Sequence, residues 1–203
     1  MYRIQLNRIK RILPYISVTM IGGILSQFLP FIFLYLVPKF EMEAVVVFLF
    51  LGLVCLPFFL LHSVFCLQRS VLVQGITKKA LIRMTFEMLA LLLCIKLLFP
   101  AINNKMFVYY VAVGVCEETL FRNFLLNSMR DEYGEKKATI LSSIIFAFLL
   151  HLNNPFFSNL LLRFPLSLLL SLIRRKLGYA EACTFHSGYN MICVIIASVL
   201  TQT

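Results

Sequence analysis

Long apolar stretches recur along the chain, separated by short clusters of Arg, Lys, Asn and Pro. Taking ~20 mostly apolar residues as one crossing of a bilayer, the pattern predicts spans at about 13–37, 43–67, 81–100, 106–127, 138–152, 156–173 and 178–200. The fifth and sixth are short and are parted only by Asn153-Asn154-Pro155, so a broken hairpin buried among the other helices is the alternative to two full spans. The first apolar run exceeds a signal-peptide core and lacks a small-x-small cleavage site, which reads as a retained signal anchor. There is no internal repeat and no long linker. The expectation is an all-α integral membrane protein, a single bundle of about seven transmembrane helices.

Composition supports the bilayer as solvent. The 203 residues are 61% hydrophobic and 14% charged, where a soluble domain carries about a quarter charged residues. The formal charge of +10 would raise nucleic acid as a partner for a soluble chain. Here the basic residues sit between apolar runs, which points to lipid and not to nucleic acid. With the N-terminus cytoplasmic, the inner loops hold Arg3, Arg8, Lys10 and Arg11, then Arg69, Lys78, Lys79 and Arg83. They continue with Arg130, Lys136 and Lys137, and with Arg174, Arg175 and Lys176. The outer loops hold only Lys39 and Lys105. That imbalance is the positive-inside pattern of a multi-pass protein of the cell membrane. The six cysteines lie in or beside apolar runs with no C-x-x-C pair, as small hydrophobes would.

Ionisable residues inside spans are costly and need a partner or a task. Three fall together in Glu117-Glu118-Thr119-Leu120-Phe121-Arg122. Counting ~1.5 Å per residue, Glu117 lies roughly 17 Å below the outer edge, near the midplane. Glu118 and Arg122 are i and i+4 and share a face suited to an ion pair. Glu117 is turned ~100° away, leaving a freer carboxylate suited to accepting a proton. A purely structural Glu-Arg bridge would gain nothing from the second glutamate. Of the three histidines, His62 stands alone and reads as packing or interfacial. His151 ends the fifth span, and His186 shares a face with Asn190 at i+4. Small Ser187 and Gly188 would admit close approach of a backbone or substrate. A carboxylate, two imidazoles and an amide from three spans supply a base for water and donors for an oxyanion. Counting from residue 138, however, His151 would stand ~20 Å up from the inner side, above Glu117.

At these residues the chain resembles the CAAX protease and bacteriocin-processing family, also called the Abi family, of membrane-embedded peptidases. The first family motif, two glutamates and an arginine after three variable residues, is met by Glu117, Glu118 and Arg122. The third, His followed at i+4 by Asn, is met by His186 and Asn190. The second, Phe followed four residues later by His, departs from the pattern. Ala147 stands four before His151, with Phe146 and Phe148 on either side, so the aromatic would act from a neighbouring position.

The resemblance covers residues 80–200 and implies a core at 81–203 behind an N-terminal segment, 1–80, of basic residues and two helices. It implies that Glu117 with His151 activates water, that His186 and Asn190 stabilise the oxyanion, and that Glu118 and Arg122 orient the site. It also implies a metal-independent glutamate mechanism without a cofactor. Zinc is the weaker alternative, since the chain has no H-E-x-x-H pair.

The expected activity is endopeptidase cleavage of a small peptide or membrane-associated protein, of the bacteriocin-processing, signal-peptide or self-immunity type. The rival reading is a non-catalytic immunity or regulatory protein of the same fold that binds a peptide or membrane partner. A proton-coupled transporter would call for an inverted repeat, which the chain lacks. Glu87, Lys96, Arg163 and Glu181 are unassigned. Glu181 is placed to pair with the Arg174-Arg175-Lys176 cluster, and Arg163 to meet either the bundle interior or a substrate terminus.

Overall fold

The structure, a computed structural model, describes residues 10–25, 46–47, 50–60, 76–151 and 154–200, and all regular structure among them is helical. Helix α1 covers 10–25, and α2 covers 50–60 with a π segment at Leu51–Cys55. Helix α3 is Lys78–Leu98. Helix α4 starts at Asn104, passes through a π segment at Thr119–Leu126 and ends at Tyr133. Helix α5 is Glu135–Leu149, α6 is Phe156–Lys176 and α7 is Tyr179–Leu200. In order, these match the seven apolar stretches. His62 and the ends of the first two spans lie outside the described residues.

Local chemistry sets the boundaries. The Thr77 side chain accepts from the Ala80 amide at 3.1 Å and starts α3, and Asn103 does the same for α4 through the Lys105 amide at 2.9 Å. Gly134 separates α4 from α5 at φ 76°, a conformation costly for other residues. Helix α5 is only 15 residues, ~22 Å long against a hydrocarbon core of ~30 Å. Helix α6 is the longer partner, at 21 residues.

Helices α6 and α7 are each long and apolar enough to cross a membrane. Helix α3 has the length but carries Lys78, Lys79, Arg83, Glu87 and Lys96. Its outward stripe is nonetheless oily, with Phe86, Leu89, Leu93 and Leu97 all exposed. The α7 residues Ile192, Ile196 and Val199 are exposed as well, while Ser187 and Gly188 face inward. Apolar outside with small and polar residues inside is the arrangement suited to lipid.

Helices α1, α2, α4 and α5 share one apolar core around Leu53, Phe121, Phe124 and Phe146. A second core joins α3, α4 and α7 around Phe107, Met191 and Ile195. Helix α4 belongs to both. Its crossing with α7 is close, since a methyl group at Gly114 would come within 2.5 Å of Ser187 Oγ.

Polar clasps reinforce these contacts. Arg11 pairs with Glu132 at 3.0 Å, tying α1 to the end of α4. Arg83 pairs with Glu181, so that glutamate serves the α3–α7 contact and not the expected Arg174–Lys176 cluster. Thr184 donates to Glu87 at 2.8 Å one turn further along the same contact. Lys96 donates to the Ile102 carbonyl, which ties the end of α3 to the following turn.

Candidate active site

Glu117 and Glu118 close the regular part of α4, and Arg122 lies in the π segment that follows. Such wide turns are rare and recur at functional sites. All three side chains point into the bundle. Glu118 is 0% exposed, Arg122 1%, His186 2% and Glu117 7%. Charges this deep persist only when paired and hydrogen-bonded.

The pairing is reciprocal. Arg122 Nε lies 3.4 Å from Glu118 Oε2, the ion pair expected from their i,i+4 spacing. Arg122 Nη2 donates to Ser167 of α6, at 2.9 Å to Oγ and 3.2 Å to the carbonyl. Its guanidinium carbon sits 4.6 Å from the centre of the Phe146 ring, a cation–π contact. His186, on α7, lies between the two carboxylates. Its Nδ1 is 2.9 Å from Glu118 Oε1, and its Nε2 is 3.5 Å from Glu117 Oε2.

Phe146 is the aromatic hub. Its ring meets Phe121, His151 and His186 edge to face, with centroids 5.1, 5.3 and 5.9 Å apart. His151, in the turn after α5, is therefore one ring away from His186. Of the two candidate aromatics, Phe146 faces the cluster, and Phe148 packs instead on Phe156. Asn190 lies half-buried one turn beyond His186. The structure thus brings Glu117, Glu118, Arg122 and His186 into direct contact and joins His151 through Phe146.

Further contributors escaped the sequence reading. Ser167 anchors Arg122 from α6. Asn159, 3% exposed, donates from Nδ2 to the His151 carbonyl at 2.9 Å and so fixes the turn that carries the histidine. Beside the cluster, Tyr179 and Thr119 share a hydroxyl hydrogen bond of 2.6 Å, while Arg174 donates to Asn123 Oδ1 at 2.7 Å. The one sequence signal for this shell was the run of Ser and Asn on otherwise apolar helices.

Two carboxylates, an arginine and an imidazole are thus sealed within an apolar helical bundle as one ionisable centre. Residues 99–192 match the family model described as type II CAAX prenyl endopeptidase Rce1-like. The matched segment, a little under half of the chain, contains all six motif residues. No curated protein and no solved structure matches the chain.

Proposed function

We propose that the chain is an intramembrane glutamate-dependent endopeptidase of the cell membrane, acting on a small peptide or a membrane-associated protein. Water held by Glu117 and His151 loses a proton to Glu117 as its oxygen attacks the peptide carbonyl carbon. The oxyanion that forms is received by the His186 Nε2–H and the Asn190 side-chain amide. The C–N bond then breaks, and Glu117 returns the proton to the leaving amine. The products are a carboxylic acid, which keeps the second hydrogen of the water, and an amine.

The observation that supports this reading is His186 held between two buried carboxylates. Glu118, ionised beside Arg122, can only accept, so the Nδ1 that faces it carries hydrogen. For Nε2 to donate as well, the ring must be an imidazolium, and Glu117 and Glu118 flank it as counter-charges. Glu118 and Arg122 then have an orienting role. The mechanism needs no metal and no cofactor, because Arg122 and His186 provide the positive charge. The peptide class is the bacteriocin-processing or signal-peptide type.

The test is cleavage of a quenched fluorescent peptide library by purified protein in detergent, comparing the wild type with Glu117→Gln and His186→Ala. Both variants are expected to lose at least ~100-fold in rate, the scale of losing a positioned base or an oxyanion donor. Full activity in either would overturn the mechanism.

A further inference from the structure

The mechanism leaves one charge in the bundle unused. Arg163 lies seven residues into α6, at the end of a third π segment, Asn159–Arg163. Its Nη1 donates to Ser158 Oγ at 2.8 Å and to Asn159 Oδ1 at 3.3 Å, both on its own helix. No ion pair among the described residues includes it. The other fixed cations of the interior are engaged, Arg122 by Glu118 and Ser167 and Arg174 by Asn123. An arginine on an apolar helix with no counter-charge is expensive, and such a residue marks a binding function.

Its surroundings say where the missing anion would sit. Asn159, which accepts from Arg163, also donates to the His151 carbonyl. Arg163 therefore shares one side-chain bridge with the turn that carries His151. The two bonds through Nη1 fix the guanidinium and leave Nε and Nη2 without a partner among the described residues. Those two nitrogens form the side-on edge of the fork, whose parallel N–H groups match a carboxylate.

We propose that Arg163 is the recognition point for a carboxylate of the substrate, held by its Nε–Nη2 edge beside the turn that carries His151. The carboxylate is either the C-terminus of a peptide or an Asp or Glu side chain near the cleaved bond. In both cases the residue positions the scissile carbonyl and takes no part in bond making or breaking. The proposal rests on the peptidase reading, but binding tests it independently of turnover.

The experiment uses the full-length chain in detergent and four fluorescent peptides. One pair differs only in having a free C-terminal acid or a C-terminal amide, and the other only in Asp or Asn at one internal position. Anisotropy on wild type and Glu117→Gln is expected to show ~10- to 100-fold tighter binding of one acidic member over its neutral twin, the range of a charge-assisted hydrogen bond. Which pair responds identifies the source of the carboxylate. Arg163→Gln should abolish the preference by weakening only the acidic peptide, and Arg163→Lys, which keeps the charge without the fork, should restore it in part.

Equal binding within both pairs by the wild type would overturn the proposal. So would a preference that survives Arg163→Gln, or a loss spread evenly over all four peptides. Cleavage by the wild type, followed in parallel, reports on the peptidase reading alone. Discrimination without cleavage would sink that reading and leave the Arg163 site standing, and cleavage without discrimination would do the reverse.

Discussion

Phe146 carries more of the site than its apolar side chain suggests. It lies under Arg122 and touches both histidines, so its ring sets the distance between His151 and the glutamate cluster. Phe146→Leu is expected to lower turnover at least ~10-fold, since small misplacements of catalytic groups cost this much or more. Phe148→Leu, two residues away and packed on Phe156, should stay within about twofold, because nothing at the site depends on its position. Initial rates normalised to correctly folded protein check both, and equal effects of the two substitutions would remove the hub role. The Glu118–Arg122 pair was legible in the sequence because both partners sit on one helix, where i,i+4 geometry is fixed. The contacts of His186 with Glu117, Arg122 with Ser167 and Asn159 with His151 were not legible. Each joins two helices, or a helix and a turn, and periodicity says nothing of which neighbours meet.

Among the elements, the α4–α7 crossing holds the site together, since α4 brings the glutamates and α7 brings His186. Gly114 permits that crossing. A methyl group there would lie 2.5 Å from Ser187 Oγ and 3.0 Å from the Ser187 amide nitrogen. Backbone is involved, so the helices must separate. Gly114→Ala is expected to cost about 1–3 kcal/mol, the usual range for overpacking. It should also lower activity, because Ser187 adjoins His186. Unfolding in detergent checks the first and peptide cleavage the second. The double change Gly114→Ala with Ser187→Gly removes the hydroxyl contact and should recover part of the loss, with the backbone contact accounting for the remainder. Unchanged stability in Gly114→Ala would show that the crossing is looser than drawn. The small residues at 187 and 188 were legible as a place of close approach. Their partner at 114 was not, since one glycine in an apolar helix looks like any other. Nor were the π segments at Thr119–Leu126 and Asn159–Arg163, whose wide turns answer to interhelical contacts and not to composition.

For the whole molecule, two kinds of observation bear on how the bundle sits in its bilayer. Hydropathy and the distribution of Arg and Lys predict seven crossings with the N-terminus cytoplasmic. The clasps bear on which helix ends share a side. Arg11 meets Glu132, bringing the start of α1 to the end of α4, and Arg83 meets Glu181, bringing the start of α3 to the start of α7. Four ends that the alternation assigns to one side are thus paired two by two in space. An odd number of crossings between 11 and 132, or between 83 and 181, would separate residues that are in contact. Single cysteines placed at Gly134 and at Asn154 in a cysteine-free background should therefore react with a membrane-impermeant maleimide from opposite sides. Position 134 should be labelled only when the cytoplasmic face is open, and position 154 from outside in intact cells. Labelling of both from the same side would mean that α5, only 15 residues long, does not cross and that 135–176 forms a re-entrant hairpin. In that case His151 would reach Glu117 from within the fold, and Arg163 would meet its carboxylate from the cytoplasmic side.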